Sequence, residues 1–404
     1  MITPTTLLPL LITVLVLTLP ERATAAPTLD QPRRVLELPP GPGNPRNSEG
    51  DLIALKDGRI LLIYTRYTKG NGGDNDPAYL ASRVSTDRGF TWSKEPVEVV
   101  KNEGGMNVMS VSLLRLQSGE IALFYLRKNS ETDCRPYLRR STDEAKSWSE
   151  PIPCVPPDPD AYYVLNNSRA TQLKSGRIVL PLCWHSSGGT KRIADWAGEI
   201  VCYLSDDNGK TWRQGKQRFK TFDAAGKRVT SQEPGIIELK DGRVMMYFRT
   251  THGQQWICHS TDGCETWSRP APSAIGSPCS PATIKRLSNG DLFLVWNDHG
   301  RFPQMRTRGP SWGAGQRSPL AVAISKDEGK SWQGKVLEGN PNGWYCYTAA
   351  LEVDGNLILE YCAEKMLQHA RVTLVPIAWL YTPEPKPVAG GDGKVPLLNG
   401  FFND

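Results

Sequence analysis

Residues 52–92 read LIALKDGRILLIYTRYTKGNGGDNDPAYLASRVSTDRGFTW, and both ends of this stretch recur along the chain. It begins with an apolar run, a turn dipeptide ending in glycine (Asp57-Gly58) and a second apolar run. The pattern returns with Gly119, Gly176, Gly242, Gly290 and Gly355 at the turn, as in LLRLQSGEIALFY and IIELKDGRVMMYF. Glycine takes a positive φ without steric cost, so each dipeptide suits a tight hairpin turn. The flanking Leu, Ile, Val, Tyr and Phe suit buried strands. The stretch closes on a box of the form Ser-x-Asp-x-Gly-x-[Thr/Ser]-Trp, Ser85 to Trp92. Four more boxes start at Ser141, Ser205, Ser260 and Ser325, with Ala145 and Cys264 at the glycine position of the second and fourth. The box Asp can accept backbone N–H bonds within a turn. The box Trp can fill a gap between neighbouring sheets. The boxes are therefore read as structural devices.

Six hairpins and five boxes, repeating at about 50–65 residues, predict a propeller or an array. The expected fold is all-β: one six-bladed β-propeller with five Asp-box repeats, the last unit lacking its box. After Gly355, LILEYCAEK and HARVTLVPIAWLY supply two strands of the last unit, and the early RRVLELPP supplies another. That pairing would join the chain ends and leave only short, protected edges. The expected domain runs over 26–382, followed by a Pro/Gly-rich surface tail at 383–404.

Residues 1–25 read as a secretory signal: an apolar core, LLPLLITVLVLTL, precedes Ala23-Thr24-Ala25. The core is short for a membrane span, and the chain is expected to be secreted or periplasmic. MITPTT carries no Lys or Arg, so an uncleaved anchor stays open as the alternative. Nine cysteines, an odd number, leave at least one thiol free or paired between chains. Cys183–Cys202 and Cys346–Cys362 flank what read as adjacent strands, and Cys134–Cys154 and Cys258–Cys264 are looser pairings. No Cys-x-x-Cys occurs and the five His are scattered, which argues against zinc. The net charge of +6 is only a weak pointer to an anionic ligand. No Arg/Lys-rich run of the kind that binds nucleic acid is present. Oligomeric state is open.

The box-bearing pattern resembles the sialidase (neuraminidase) superfamily over most of the chain, and four segments carry that resemblance. SQEPGIIELKDGRVMMYFRT (231–250) is similar to a segment in which a Glu precedes a strand, a turn and a second strand ending in Arg, here Glu233 and Arg249. RSPLAVAISKDEGKSW (317–332) sets Arg317 eight residues before the Ser of the last box. GWYCYTAALEVDG (343–355) offers Tyr347 followed by Thr348, with Tyr345 as rival. GNGGDNDPA (70–78) resembles the loop that carries an acid/base Asp, here Asp74 with Asp76 as rival.

The resemblance implies a retaining exo-glycosidase that releases terminal sialic acid, or a related acidic sugar, from a glycan and needs no metal or organic cofactor. Arg249 and Arg317 would grip the substrate carboxylate, because guanidinium forks pair bidentately with carboxylates. Asp74 would protonate the leaving oxygen. Tyr347, a phenol with an ordinary pKa near 10, would attack once Glu233 takes its proton. A neutral phenol suits a sugar whose anomeric carbon already bears a carboxylate. The family's Arg-Ile-Pro motif is missing, and its position falls at Ser48 in NPRNSEGDLIALKDG. Arg46 or Arg66 could supply the third arginine; alternatively Glu49 or Asp51 faces the ligand. The remaining readings are a glycosidase for a different acidic sugar and a non-catalytic glycan-binding propeller. Met106, Met109, Tyr162, Tyr163 and Trp184 are further candidates for a pocket wall, or for core.

Overall fold

The computed structural model describes residues 29–157, 162–308, 315–364 and 366–383. The signal-like segment 1–25 and nearly all of the 383–404 tail lie outside them. The regular structure of the described chain is almost wholly antiparallel strand. Its helical elements are one five-residue α-helix, Ile377–Tyr381, and a short 3-10 turn, Pro303–Thr307. No helix among the described residues is long and apolar enough to cross a membrane.

Four sheets have four strands each. One holds Asn47–Ala54, Ile60–Tyr67, Ala78–Ser85 and Val97–Val100; a second runs from Gln232–Glu238 to Ala271–Gly276; a third runs from Thr283–Arg286 to Gln333–Glu338. The fourth orders Arg33–Leu38, His369–Pro376, Asn356–Ala363 and Cys346–Val353, so the first described strand pairs with the last, Arg33 opposite Leu374. A nine-stranded sheet covers residues 107–219, its two halves joined where Tyr162 pairs with Cys134 in parallel. The six turn glycines all have positive φ, from 78° at Gly355 to 93° at Gly176.

The apolar residues gather between sheets. One core joins the strands after Asn47 to those after Asn107, and another joins residues 287–337 to 345–380. A third joins the strands around Leu52 and Leu62 to Ile358, Val372 and Leu374, tying the start of the chain to its end. The boxes work at these seams. In the third box Ser205 Oγ donates to Asp207 Oδ1 (2.8 Å), and the Thr211 amide and hydroxyl donate to Asp207 at 2.9 and 2.5 Å. The same bonds recur at Asp87, Asp143, Asp262 and Asp327. Trp212 of that box meets Phe124 of the preceding strands edge-on, ring centroids 6.0 Å apart.

An ionic knot fastens the chain ends. Arg371 pairs with Glu37 (2.7 Å), Glu338 (2.8 Å) and Glu364 (3.0 Å), and Arg34 also reaches Glu338 (2.8 Å). The nine cysteines are buried free thiols. Cys346 does face Cys362 across the strands. Cys183 instead faces Ile200, with Cys202 opposite Pro181, and its thiol turns to the Ser231 carbonyl at 3.2 Å.

Candidate active site

Four strands at the ends of their sheets, Asn47–Ala54, Asn107–Arg115, Gln232–Glu238 and Cys346–Val353, share a device that aims side chains at one cavity. Registers shift between Ser48 and Asp51, Met109 and Ser112, Gln232 and Gly235, and Cys346 and Ala349. These are β-bulges, which re-aim a side chain out of the regular pleat. Inside them Glu49, Ser110, Glu233 and Tyr347 take left-handed φ values of 54°, 57°, 51° and 58°. Such a conformation costs a non-glycine residue about 1–3 kcal/mol and persists where surrounding structure enforces it. All four residues line a cavity of about 480 Å³.

Tyr347 Oη donates to Glu233 Oε1 at 3.4 Å. Arg249 stands 3.0 Å from the same oxygen and donates to Gln232 Oε1 at 2.8 Å. Arg317 lies behind the tyrosine and does not itself line the cavity; its guanidinium carbon is 5.5 Å from the ring centroid, and it donates to the Cys279 carbonyl at 3.1 Å. Arg249 Nε, Arg317 Nε and Nη1, and Glu233 Oε2 are buried without a hydrogen-bond partner. Burial, then the nearby Glu233 charge, pushes the Tyr347 phenol well above its ordinary pKa, despite Arg317 and Arg249. It therefore rests as a neutral phenol beside a carboxylate. Tyr345 does not line the cavity; it packs toward Tyr361, ring centroids 6.5 Å apart.

Asp74 sits at the mouth on the Gly-rich loop, its side chain 61% exposed, with Oδ1 accepting from Arg46 Nη1 at 2.6 Å. Desolvation would raise its carboxyl, but Arg46, with help from Lys128 and Arg249, holds it below the ordinary value. The Asp76 carboxylate serves the loop itself, accepting from the amides of Gly73 (2.8 Å) and Asn71 (3.1 Å). Asn107 Nδ2 pins the same loop through the carbonyls of Asp74 and Asp76, both at 2.9 Å.

Arg46 does not open onto the cavity. Its donors go to Ser48 Oγ (2.8 Å), the Gly72 carbonyl (3.2 Å), Asp74 (2.6 Å) and Glu49 (2.6 Å), and its guanidinium lies over Tyr67. It thus sits beneath two carboxylates, with its fork already taken, rather than against a ligand. Arg66 does not line the cavity either. Glu49 does, with Oε2 accepting from Ser110 Oγ at 2.5 Å, and burial raises its carboxyl in spite of Arg46. Asp51 turns away, to the amides of Leu113 (2.8 Å) and Leu52 (2.9 Å).

Lys128, His185 and Trp196, all on the cavity wall, carried no site signal in the sequence. Lys128 donates to the Asp74 carbonyl at 3.2 Å and lies over the Tyr162 ring. Tyr162, His185 and Trp196 form an aromatic flank, with Trp196 58% exposed. Burial pushes His185 down to about 4, so its imidazole is neutral near pH 7. Of the earlier wall candidates, Met109 and Tyr162 line the cavity, whereas Tyr163 packs on Tyr203 and Trp184 takes Arg218 over its ring. Among the described residues no group of three or more His, Cys, Asp or Glu side chains is placed to hold a metal ion.

The comparisons with known proteins agree with this architecture. A family model described as a BNR repeat-like domain matches residues 80–359. A sialidase of Micromonospora viridifaciens is 26% identical over 371 residues, covering 82% of this chain and 50% of that protein. An anhydrosialidase of Macrobdella decora is 24% identical over 247 residues, covering 55% and 29%. The chain thus spans about half the length, or less, of the curated relatives it matches. Among solved structures, a protein of unknown function from Dyadobacter fermentans superposes with a TM-score of 0.66 at 20% identity, over 86% of this chain and all of that one. A Trypanosoma rangeli sialidase in complex with 2,3-difluorosialic acid superposes with a TM-score of 0.63 at 15% identity, over 83% and 55%. The family match covers well over half of the chain, which therefore belongs to the BNR-repeat proteins of the sialidase superfamily.

Proposed function

We propose that this protein is a retaining exo-glycosidase that releases a terminal sialic acid, or a related acidic sugar, from glycoconjugates. The observation that carries the reading is the contact of Tyr347 Oη with Glu233 Oε1, made beside Arg249. Arg249 and Arg317 hold the substrate carboxylate through the donors that lack partners. Asp74 gives a proton to the leaving glycosidic oxygen as the C–O bond breaks. Tyr347 Oη attacks the anomeric carbon and passes its proton to Glu233. Water, deprotonated by Asp74, then displaces the tyrosyl oxygen, which takes its proton back from Glu233, and configuration is retained. Arg46 supports the chemistry from below by fixing Asp74 and Glu49.

The scaffold proposed for this chemistry is a closed six-bladed propeller over residues 26–382. Its support is the set of cores, each lying between consecutive strand groups, the last of which returns to the first. Export on the strength of residues 1–25, with a glycan as the partner, completes the reading.

The test is release of 4-methylumbelliferone from its α-N-acetylneuraminide by the purified protein, beside Tyr347→Phe. Turnover that vanishes in the variant supports the assignment. Equal turnover in both overturns the role of Tyr347, and none in either overturns the sialidase reading.

A further inference from the structure

The bulge positions lead beyond that mechanism. Glu49, Ser110, Glu233 and Tyr347 hold the same strained place on four different sheet-end strands and meet at one cavity. Two of the four, Glu233 and Tyr347, belong to the proposed chemistry. Strain kept at a position of this kind is itself a pointer to function. Glu49 is the third ionisable member, 3% exposed, and its two neighbours leave it unsaturated. Arg46 Nη2 reaches Oε1 and Ser110 Oγ reaches Oε2. A carboxylate has about four acceptor positions, so each oxygen can take another donor.

The charges on that wall decide what the donor is. Glu49 and Asp74 share the single Arg46 guanidinium, and Glu233 lines the same cavity. A substrate carboxylate placed there would meet carboxylates, while Arg46 has its fork engaged and does not face the cavity. The orphaned guanidinium donors lie at Arg249 and Arg317, beside Tyr347. Arg249 lines the cavity and Arg317 stands behind Tyr347, so the Tyr347 end suits a carboxylate and the Glu49 end suits hydroxyl donors.

We propose that Glu49 is a substrate-binding residue that accepts a sugar hydroxyl, so that the site grips the carboxylate with two arginines and selects an acidic sugar by its hydroxyl-bearing edge. This rests on the glycosidase reading above.

The probe is the unsaturated analogue 2-deoxy-2,3-didehydro-N-acetylneuraminic acid, titrated by calorimetry into the full-length protein and Glu49→Gln. Glu49→Gln keeps the shape and removes the charge. A hydrogen bond to a charged acceptor predicts about tenfold or greater weakening in that variant. Unchanged binding in Glu49→Gln would make Glu49 a structural partner of Arg46 and overturn the inference alone. Tighter binding would also overturn it, because Glu49 would then be opposing the probe's carboxylate. No binding by the unmodified protein, together with no turnover of the 4-methylumbelliferyl substrate, would overturn the glycosidase reading and this inference with it. If Glu49→Gln does not fold, Glu49→Asp gives the same comparison: it keeps the charge near Arg46 and draws it back from the cavity.

Discussion

Tyr347 Oη and Glu233 Oε1 stand 3.4 Å apart, brought together from strands 114 residues apart in the chain, each residue held in a left-handed bulge. The contact is long for an O–H···O bond, as expected of a catalytic pair that tightens when substrate binds. The raised phenol cannot ionise unaided near pH 7, so in the proposed mechanism Glu233 takes its proton during attack. Glu233→Gln should therefore lower kcat by about 10²- to 10⁴-fold, the usual worth of a general base. Circular dichroism should stay unchanged. A variant that keeps more than a tenth of the original kcat would show that the tyrosine needs no base here.

Arg317 reads differently from a surface arginine. It is 3% exposed, packed over Tyr347 and Trp344, and two of its nitrogens lack partners. Lysine keeps the charge and loses the planar fork. Arg317→Lys should raise KM by about 10- to 100-fold, the equivalent of one charge-assisted hydrogen bond. Steady-state kinetics on the 4-methylumbelliferyl substrate reads this directly, and an unaltered KM would remove Arg317 from carboxylate binding.

Local demands were legible in the sequence, and long-range geometry was not. The turn glycines and box residues satisfy requirements set within eight residues, so they could be read from the chain alone. Glu233 and Arg249 are joined by one strand pair, Gln232 opposite Arg249, and one segment shows both. The cavity wall is different: Lys128, Tyr162 and Trp196 come from separate segments whose patterns look like core or loop. The missing Arg-Ile-Pro position points to Glu49, with Asp51 as its rival, and a second sign favours Glu49. Gly50 follows it, and a Cβ there would lie 2.9 Å from the Ile63 carbonyl; Gly235, two residues after Glu233, would strike the Tyr247 ring. A glycine at the head of an apolar strand often marks a bulge or a close approach. The nine-stranded sheet was not foreseen, because a single bridge at Tyr162 and Cys134 joins its halves.

The pairing of Asp74 with Arg46 fixes the sign of a pH effect. Its carboxyl lies below the ordinary value near 3.9. It is therefore ionised at pH 7 in the free protein, and the acid form grows as pH falls. If Asp74 supplies the proton to the leaving group, kcat/KM should rise as pH drops from 7 toward about 4. Asp74→Asn should flatten that rise and lose most activity on sugar leaving groups, with less loss on 4-methylumbelliferone, which needs little protonation. A profile of the unmodified protein that is flat from pH 4 to 7 would count against Asp74 as the acid.

Arg371 offers a stability test away from the cavity. Its three carboxylate partners include Glu338, only 2% exposed, which also accepts from Tyr361 Oη at 2.6 Å. Removing one partner of a buried pair leaves an uncompensated charge and costs about 3–5 kcal/mol. Arg34 remains beside Glu338, so Arg371→Met should fall at the lower end of that range. Chemical denaturation at pH 7 measures the difference, and a loss under about 1 kcal/mol would mean that Arg34 suffices.

The boxes predict how the fold fails in acid. Hydroxyl and amide donors hold the carboxyls of Asp143, Asp207, Asp262 and Asp327 down to about 2, and Asp87 is lowered in the same way despite partial burial. Each carboxylate is thus more acidic folded than unfolded, where an Asp titrates near 3.9. The stability from this source is complete above that unfolded value and drains away as pH falls through the folded one. Tm should therefore hold above about pH 5 and drop progressively between about pH 4 and 2. Asp207→Asn should behave as a partly drained protein: a lower Tm at pH 7 and a smaller fall on acidification. The comparison needs only scanning calorimetry of the two proteins across that range. Equal falls in both would show that the box carboxylates are not what acid removes, and would move attention to knots such as the one at Arg371.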